Sequence, residues 1–247
     1  MLHSTAFDNT IRNDGRVATL NARLAHAGAT EVIKAAFNEI GNVALVSSFG
    51  ADSVVLLRLV AQINPNTPVL FVDTEMLFEE TLQYQENVAA LLGLTNIRVI
   101  RAADTDQHDP DGTLHKTNPD ACCSLRKTAP LQKALAQFDG WISGRKRHQS
   151  GTRARLNMFE LDGTSSRIKV NPLALWSAQD TVRFMKDTQM PRHPLVAKGY
   201  PSIGCAPCTT PVKPGEDSRA GRWRETEKEE CGIHFVNGKM VRTGDMQ

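Results

Sequence analysis

Short, uniformly apolar runs spaced by helix-period stretches set the first limit on how this chain can fold. Val43 to Ser47, Val69 to Val72, Ile97 to Ile100, Trp141 to Ser143 and Ile168 to Val170 read as short strands, and the apolar ones suit burial on both faces. Between them lie helical stretches, Val54 to Val60 and Leu77 to Leu92, the second closed by Gly93 at a C-cap position. Asn118 with Pro119 can open a further helix, running through Cys122, Cys123, Leu125, Leu131 and Leu135 to Phe138. Ser177 with Asp180 caps a last one through Val182, Phe184 and Met185. Val17, Leu20, Leu24, Ala27, Val32, Phe37 and Ile40 predict N-terminal helices over about 15–40, interrupted near Gly28. Strands alternating with helices require right-handed crossovers, so the expected class is α/β, a mostly parallel sheet flanked by helices. From Met190 onward Pro, Gly and charge predict an irregular C-terminal tail. The expected division is one α/β domain over 1–190 and a C-terminal segment over 191–247.

At 247 residues the chain is long enough for one large core, so disulfides are not needed for stability. The net charge of +2 gives no whole-molecule field suited to coating nucleic acid, and no nucleic-acid partner is expected. No stretch approaches the roughly 20 apolar residues of a spanning helix. The N-terminus lacks a basic start followed by an apolar run. The expectation is a cytoplasmic protein with no membrane partner. A homo-oligomer is compatible with the sequence, which carries no coiled-coil heptad. In a reducing compartment five cysteines, an odd number, point to metal or redox chemistry rather than disulfides.

In parallel sheets ligands bind beyond the carboxyl ends of the strands, and three motifs fall there. Ser47-Ser48-Phe49-Gly50-Ala51-Asp52-Ser53 joins a strand to a helix. Its small residues let backbone amides approach an anion at a helix N-terminus, although no Gly-Lys-Ser/Thr of a Walker loop follows. Asp73-Thr74-Glu75 ends the second strand and suits ribose hydroxyls, a metal or a helix start. Gly144 to Arg155 carries five Lys/Arg in twelve residues without interleaved aromatics, which fits a phosphate or sulfate group better than stacked bases.

The cysteines divide by spacing. Cys122-Cys123 and Cys205-Ala206-Pro207-Cys208 together supply four thiols, the complement of an iron–sulfur cluster or a structural zinc. An adjacent pair is poor zinc-finger spacing, which favours the cluster. Unrelated buried thiols and a redox-active Cys-x-x-Cys are the competing readings. The fifth, Cys231 in Glu230-Cys231-Gly232-Ile233-His234, sits in a polar segment where a nucleophile would be accessible. Glu229 and Glu230 disfavour its thiolate, and Arg219, Arg222, Arg224 or His234 would offset them if folded close.

Taken together these residues resemble the assimilatory sulfonucleotide reductases in their iron–sulfur form. The likeness runs from Ser47 to His234 and rests on Cys-Cys, Cys-x-x-Cys and Glu-Cys-Gly-x-His in that order. It implies an adenine-nucleotide α-hydrolase-like (PP-loop) fold and a [4Fe-4S] cluster held by Cys122, Cys123, Cys205 and Cys208. It implies Cys231 as the nucleophile and His234 as the histidine of the tail motif. Ser48, Gly50, Ala51, Asp52 and Ser53 match a modified pyrophosphatase loop that receives the phosphosulfate. Lys127 matches a lysine between cluster and substrate. Gly144, Arg147, Gln149, Ser150 and Arg153 match an arginine loop, and Arg219 and Arg222 match anion-binding arginines. Lys146 departs from the pattern, since many relatives carry a second arginine there. The implied reaction reduces adenosine 5'-phosphosulfate (APS) to sulfite and AMP through a Cys231 S-sulfonate. Thioredoxin or a glutaredoxin-like protein would be the donor, in assimilatory sulfate reduction toward cysteine. Its 3'-phosphorylated form, PAPS, is the alternative substrate. An ATP-dependent tRNA-thiolating enzyme is a more remote alternative, disfavoured because Phe49-Gly50-Ala51 replaces the Ser-Gly-Gly pattern of those proteins.

Overall fold

The structure, a computed structural model, describes residues 2–163, 165–224, 235–236 and 239–240, with side chains over 12–163 and 165–224. Two helices, α1 (Leu2–Arg23) and α2 (Ala29–Glu39), lead into β1 (Val43–Val46), α3 (Ser53–Ile63), β2 (Val69–Val72), α4 (Glu79–Leu92) and β3 (Ile97–Ile100). Short helices α5 (Thr105–His108), α6 (Leu114–Thr117) and α7 (Pro119–Cys123) precede α8 (Ala129–Leu135). Then come β4 (Gly140–Ile142), β5 (Phe159–Leu161), β6 (Ile168–Val170), α9 (Ala178–Asp187) and α10 (Pro194–Ala197). Two-residue strands β7 (Phe235–Val236) and β8 (Lys239–Met240) pair antiparallel outside the main sheet. α1 begins at Leu2, ahead of the start near 15 expected from sequence.

The main sheet has the order β3-β2-β1-β4-β6-β5, parallel throughout except for β5. From β1 the chain steps outward to β2 and β3, then returns to β4 on the other side of β1. The loops after β1 and β4 therefore diverge at a topological switch point, where such sheets leave a crevice for a ligand. The five predicted strands are all present. β5 is the addition: three residues beside a turn give no usable period, and side-chain hydrogen bonds help hold it. Asn21 of α1 accepts from the Phe159 N–H at 3.0 Å and donates to the Phe159 carbonyl at 2.8 Å.

Helices cover both faces. Val32, Ile33, Val55, Leu57, Val88 and Leu92 from α2, α3 and α4 pack with Leu45, Phe71 and Ile168 on one side. Leu131 and Leu135 of α8 pack with Leu70, Phe138 and Trp141 on the other. The caps read from sequence are in place: Gly93 is left-handed (φ 63°), Ser177 and Asp180 form a reciprocal capping box, and Asn118 accepts from the Ala121 N–H at 3.0 Å.

The single helix expected from Asn118 to Phe138 is instead interrupted. Ser124–Thr128 forms a π turn in which the Ala129 N–H reaches back to the Ser124 carbonyl. Pro130 supplies the reason: it has no N–H for the Arg126 carbonyl, and its ring would collide with that carbonyl in an α-helix. Widening the preceding turn relieves the clash. The tail expected to be irregular from Met190 does carry short elements, α10 and a 3-10 turn at Ala206–Cys208. Leu195 and Ile203 pack on Ala51, with Phe78, Val196 and Tyr200 around them. This segment therefore walls the loop after β1.

That loop turns at Phe49, whose φ of 46° is left-handed and strained for a residue with a Cβ. Its ring is wholly buried and meets Phe71 edge-on at 5.2 Å, which holds the turn. Phe49→Ala keeps the strain and loses the anchor. It should lower unfolding stability by about 3–5 kcal/mol in urea titrations, whereas a loss under 1 kcal/mol would show that the turn is held elsewhere.

Candidate active site

A cavity of about 250 Å³ opens at the switch point. Ser47, Ser48, Gly50, Ala51, Asp52 and Ser53 form one side, and Ser143, Gly144, Arg145, Lys146, Gln149 and Arg153 the other. Ser47 Oγ accepts from the Phe49 N–H at 3.2 Å, which tightens the first turn. α3 begins at Ser53, so its N-terminal amides and positive dipole end face this space. At Gly50 a Cβ would lie 3.4 Å from Ser48 Oγ and 3.5 Å from the Ile203 carbonyl, so the turn is packed closely against the later segment.

Among the described residues six cationic side chains line the cavity, Lys127, Arg145, Lys146, Arg153, Arg219 and Arg222, against one carboxylate, Asp52. Lys146 is almost wholly buried and its Nζ lies 3.2 Å from Asp52 Oδ2. Arg153 donates to Gln149 Oε1. Arg222 stacks on the Trp223 ring at 4.5 Å and lies against Gly204, where any Cβ would strike its guanidinium. The excess of positive charge suits a multiply anionic ligand.

Of the residues singled out from sequence, Ser48, Gly50, Ala51, Asp52, Ser53, Lys127, Gly144, Arg153, Arg219 and Arg222 all line this cavity. Arg147 does not. Its Nε donates to the Leu156 carbonyl at 2.8 Å and ties the loop to itself. Arg145 and Lys146 face inward instead. Charge density announced this loop, but its two 3-10 turns, Arg147–Gln149 and Gly151–Arg153, have no simple period to say which cations point in. Cys231 and His234 lie outside the described residues.

A second, much smaller cavity of about 20 Å³ adjoins the first. Cys122, Cys123, Cys205 and Cys208 line it together with Thr74, Met76, His115, Pro119, Arg126 and Lys127. Distant segments are brought here by specific contacts. Leu77 and Cys205 form an isolated antiparallel bridge, and the Ala206 N–H donates to the Met76 carbonyl at 2.7 Å. Thr74 Oγ1 lies 3.2 Å from Cys205 Sγ, and the Trp223 N–H donates to the Cys208 carbonyl at 3.0 Å. Burial pushes the Cys122 thiol up to about 11, and the neighbouring sulfurs of Cys205 and Cys208 push the same way. Among the described residues no three His, Cys, Asp or Glu side chains are grouped to hold a single metal ion. The donor set lining this cavity is four sulfurs, which could hold a metal centre.

The carboxylates at the end of β2 do other work. Asp73 pairs with Arg101 at 2.8 Å, and the left-handed Glu75 (φ 60°) accepts from Thr105 Oγ1 at 3.2 Å. Neither lines either cavity. Arg126, buried in the π turn, donates to Asp109 through Nε (3.1 Å) and Nη2 (2.9 Å), and through Nη1 to the Thr74 carbonyl (3.1 Å) and Glu75 (3.4 Å). Burial raises the Asp109 carboxyl, but hydrogen bonds from Leu114 N–H and Arg126 outweigh it and the net shift is downward. The sequence reading missed Arg126, since a basic residue in an assumed regular helix reads as a solvated face. The adjacent Lys127 lines both cavities and joins them.

A family model described as phosphoadenosine phosphosulfate reductase domain matches residues 42–211, and the chain belongs to that family. It is 48% identical over 224 residues to a protein of Mesorhizobium japonicum named adenosine 5'-phosphosulfate reductase, covering 89% of this chain and 87% of that one. A protein of Halalkalibacterium halodurans with the same name is 37% identical, covering 87% and 95%. Among solved structures, a phosphoadenylyl-sulfate reductase from Candida auris in a phosphate complex superposes with a TM-score of 0.69 at 24% identity, over 79% of this chain and 96% of that one. An FMN adenylyltransferase of Candida glabrata shares the fold at a TM-score of 0.54 and 15% identity, covering 85% and 76%.

Behind the pocket, Thr81 meets the buried His193. The Leu195 N–H donates to His193 Nδ1 at 3.2 Å, so Nε2 carries the proton that reaches Thr81 Oγ1 at 3.1 Å. Burial pulls His193 down from 6.5 to about 4, with Glu80 opposing. The unfolded chain takes up this proton below pH 6.5 and the folded one does not, so the contribution to stability is full above pH 6.5 and lost as pH falls toward 4. Urea midpoints of the wild type should therefore fall more steeply than those of His193→Gln between pH 6.5 and 5. Parallel profiles would contradict the assignment.

Proposed function

We propose that this chain reduces APS to sulfite and AMP, with the cationic cavity receiving the nucleotide and Cys231 as the nucleophile. The carrying observation is the six-cation cavity at the switch point sharing Lys127 with a cavity lined by four thiols. The names of the relatives and the tail motif Glu-Cys-Gly-x-His support the same reading.

The chemistry needs this charge. A thiolate approaching a phosphosulfate meets strong like-charge repulsion. Lys127, Arg145, Arg153, Arg219, Arg222 and the amides at the start of α3 would screen it and stabilise charge developing on the departing phosphate. The Cys231 thiolate attacks the sulfur of APS. The sulfur–oxygen bond of the anhydride breaks, and AMP leaves with the electron pair. The Cys231 S-sulfonate that results is opened by a thiolate of thioredoxin, or of a glutaredoxin-like donor, attacking the Cys231 sulfur and releasing sulfite. The donor's second thiol then resolves the mixed disulfide, so both electrons come from the donor. On this reading the nucleotide sits mainly on residues 1–190, and Gly204, Arg219 and Arg222 complete its cavity from the later segment. Residues 191–247 supply the second cysteine pair and the reactive tail. This reading puts the protein in the cytoplasm, in sulfate assimilation toward cysteine. Among the described residues no helix is long and apolar enough to cross a membrane.

Cys122, Cys123, Cys205 and Cys208 would hold a [4Fe-4S] cluster. When bound it would tie the two cysteine pairs together beside Lys127; its four thiolates outweigh the charge of the iron–sulfur core, so Lys127 would face and balance a net negative group. Protein isolated without oxygen should carry iron and acid-labile sulfide near four of each per chain, and stoichiometric zinc without sulfide would overturn the assignment. The function itself is tested by sulfite release from APS with reduced thioredoxin. The expected result is turnover of APS well above that of PAPS, abolished in Cys231→Ser. Preference for PAPS would shift the substrate assignment, and a labelled covalent adduct that survives in Cys231→Ser would exclude this nucleophile.

A further inference from the structure

Beneath the cationic wall lies a hydrogen-bonded chain that the reaction described above does not use. Ser143 directly follows β4 and lines the nucleotide cavity, although it is almost wholly buried. Its Oγ lies 2.6 Å from Asn171 Oδ1. Asn171 is fully buried, and its Nδ2 reaches the Asn157 carbonyl at 2.9 Å and Glu160 Oε2 at 3.1 Å. Glu160, on the antiparallel edge strand β5, also receives the Asn157 N–H at 3.3 Å and lies 3.5 Å from Arg145.

The network has one consistent set of proton positions. The Asn157 carbonyl can only accept, so the nitrogen of the Asn171 amide must face it. The amide oxygen then faces Ser143, and Ser143 must donate. A hydroxyl has one proton. Once that proton is committed to Asn171, Ser143 offers only lone pairs to the cavity.

Resting on the nucleotide reading of the cavity, we infer that Ser143 is a specificity-determining residue, an obligate hydrogen-bond acceptor that selects a neutral donor of the nucleotide, with Asn171 as its positioning residue and Glu160 holding Asn171. The donor classes on an adenine nucleotide are the ribose hydroxyls and the exocyclic amine. An anionic oxygen at this position would face lone pairs and be rejected. The polarity is notable in a cavity whose charged groups otherwise favour anions, and it would separate the part of the pocket that reads the nucleoside from the part that holds the phosphosulfate.

The test is calorimetric binding of AMP, 2'-deoxy-AMP, 3'-deoxy-AMP and the purine analogue lacking the 6-amino group to the full chain. Wild type, Ser143→Ala and the near-isosteric Ser143→Cys are compared under reducing conditions. Thermal unfolding establishes that each variant is folded, and Ser143→Cys keeps the volume if the alanine variant does not fold. Ser143→Ala and Ser143→Cys should weaken AMP by roughly 3- to 10-fold, the worth of one hydrogen bond. One donor-deleted analogue should lose the same factor against wild type and lose nothing further against the variants. Equal losses for all four ligands, or no loss for any, would overturn the acceptor role while leaving the nucleotide reading intact. Absence of AMP binding to wild type would remove both.

Discussion

The buried guanidinium of Arg126 is the contact on which the site's geometry depends. It ties the π turn after the first cysteine pair to Asp109 and to the Thr74 carbonyl and Glu75 beyond β2. Asp109 and Arg126 are both nearly sealed from water, so removing either would strand the other and cost about 3–5 kcal/mol. The same segment after β2 receives the second cysteine pair through Leu77, Met76 and Thr74. One side chain thus holds in register two sequence segments more than 80 residues apart. Pro130 makes this workable by forcing the wide turn, which places Arg126 inward and Lys127 between the two cavities.

A division of labour follows. The sheet supplies a rigid switch point, β1 and β4 deliver two loops to it, and the segment after α10 closes the third side. Cationic groups that would repel one another in isolation are spaced by local partners: Lys146 by Asp52, Arg145 by Glu160, Arg153 by Gln149. Positive potential is thereby kept in place without collapsing onto a single anion, the preorganisation that charge development in a phosphosulfate would require.

Much of this was legible in the sequence, for identifiable reasons. Runs such as Val69 to Val72 and caps such as Gly93 and Ser177 are local signals, and the structure keeps them. The phosphate-type loop and both cysteine pairs were visible because they combine rare residue types at fixed spacing. β5 was invisible because its edge is stabilised by Asn21, a residue 138 positions away. The π turn was missed because Pro130 was read within a continuous helix rather than as a block to the Arg126 carbonyl. Arg147 was expected in the pocket and instead braces its own loop, because facing in a 3-10 turn is set by tertiary partners. The networks of Arg126 and Asn171 each join several elements, and no single stretch of sequence carries them.

The central claim is that the nucleotide cavity and the four-thiol cavity act as one apparatus joined at Lys127. The most direct measurement is the electronic spectrum of anaerobically prepared protein, in the region where the iron–sulfur cluster proposed for the four thiols would absorb, recorded with and without saturating AMP, in wild type and Lys127→Ala. AMP binding should shift the spectrum, and Lys127→Ala should abolish that shift while AMP still binds. A spectrum indifferent to AMP, or a shift unchanged in Lys127→Ala, would contradict it.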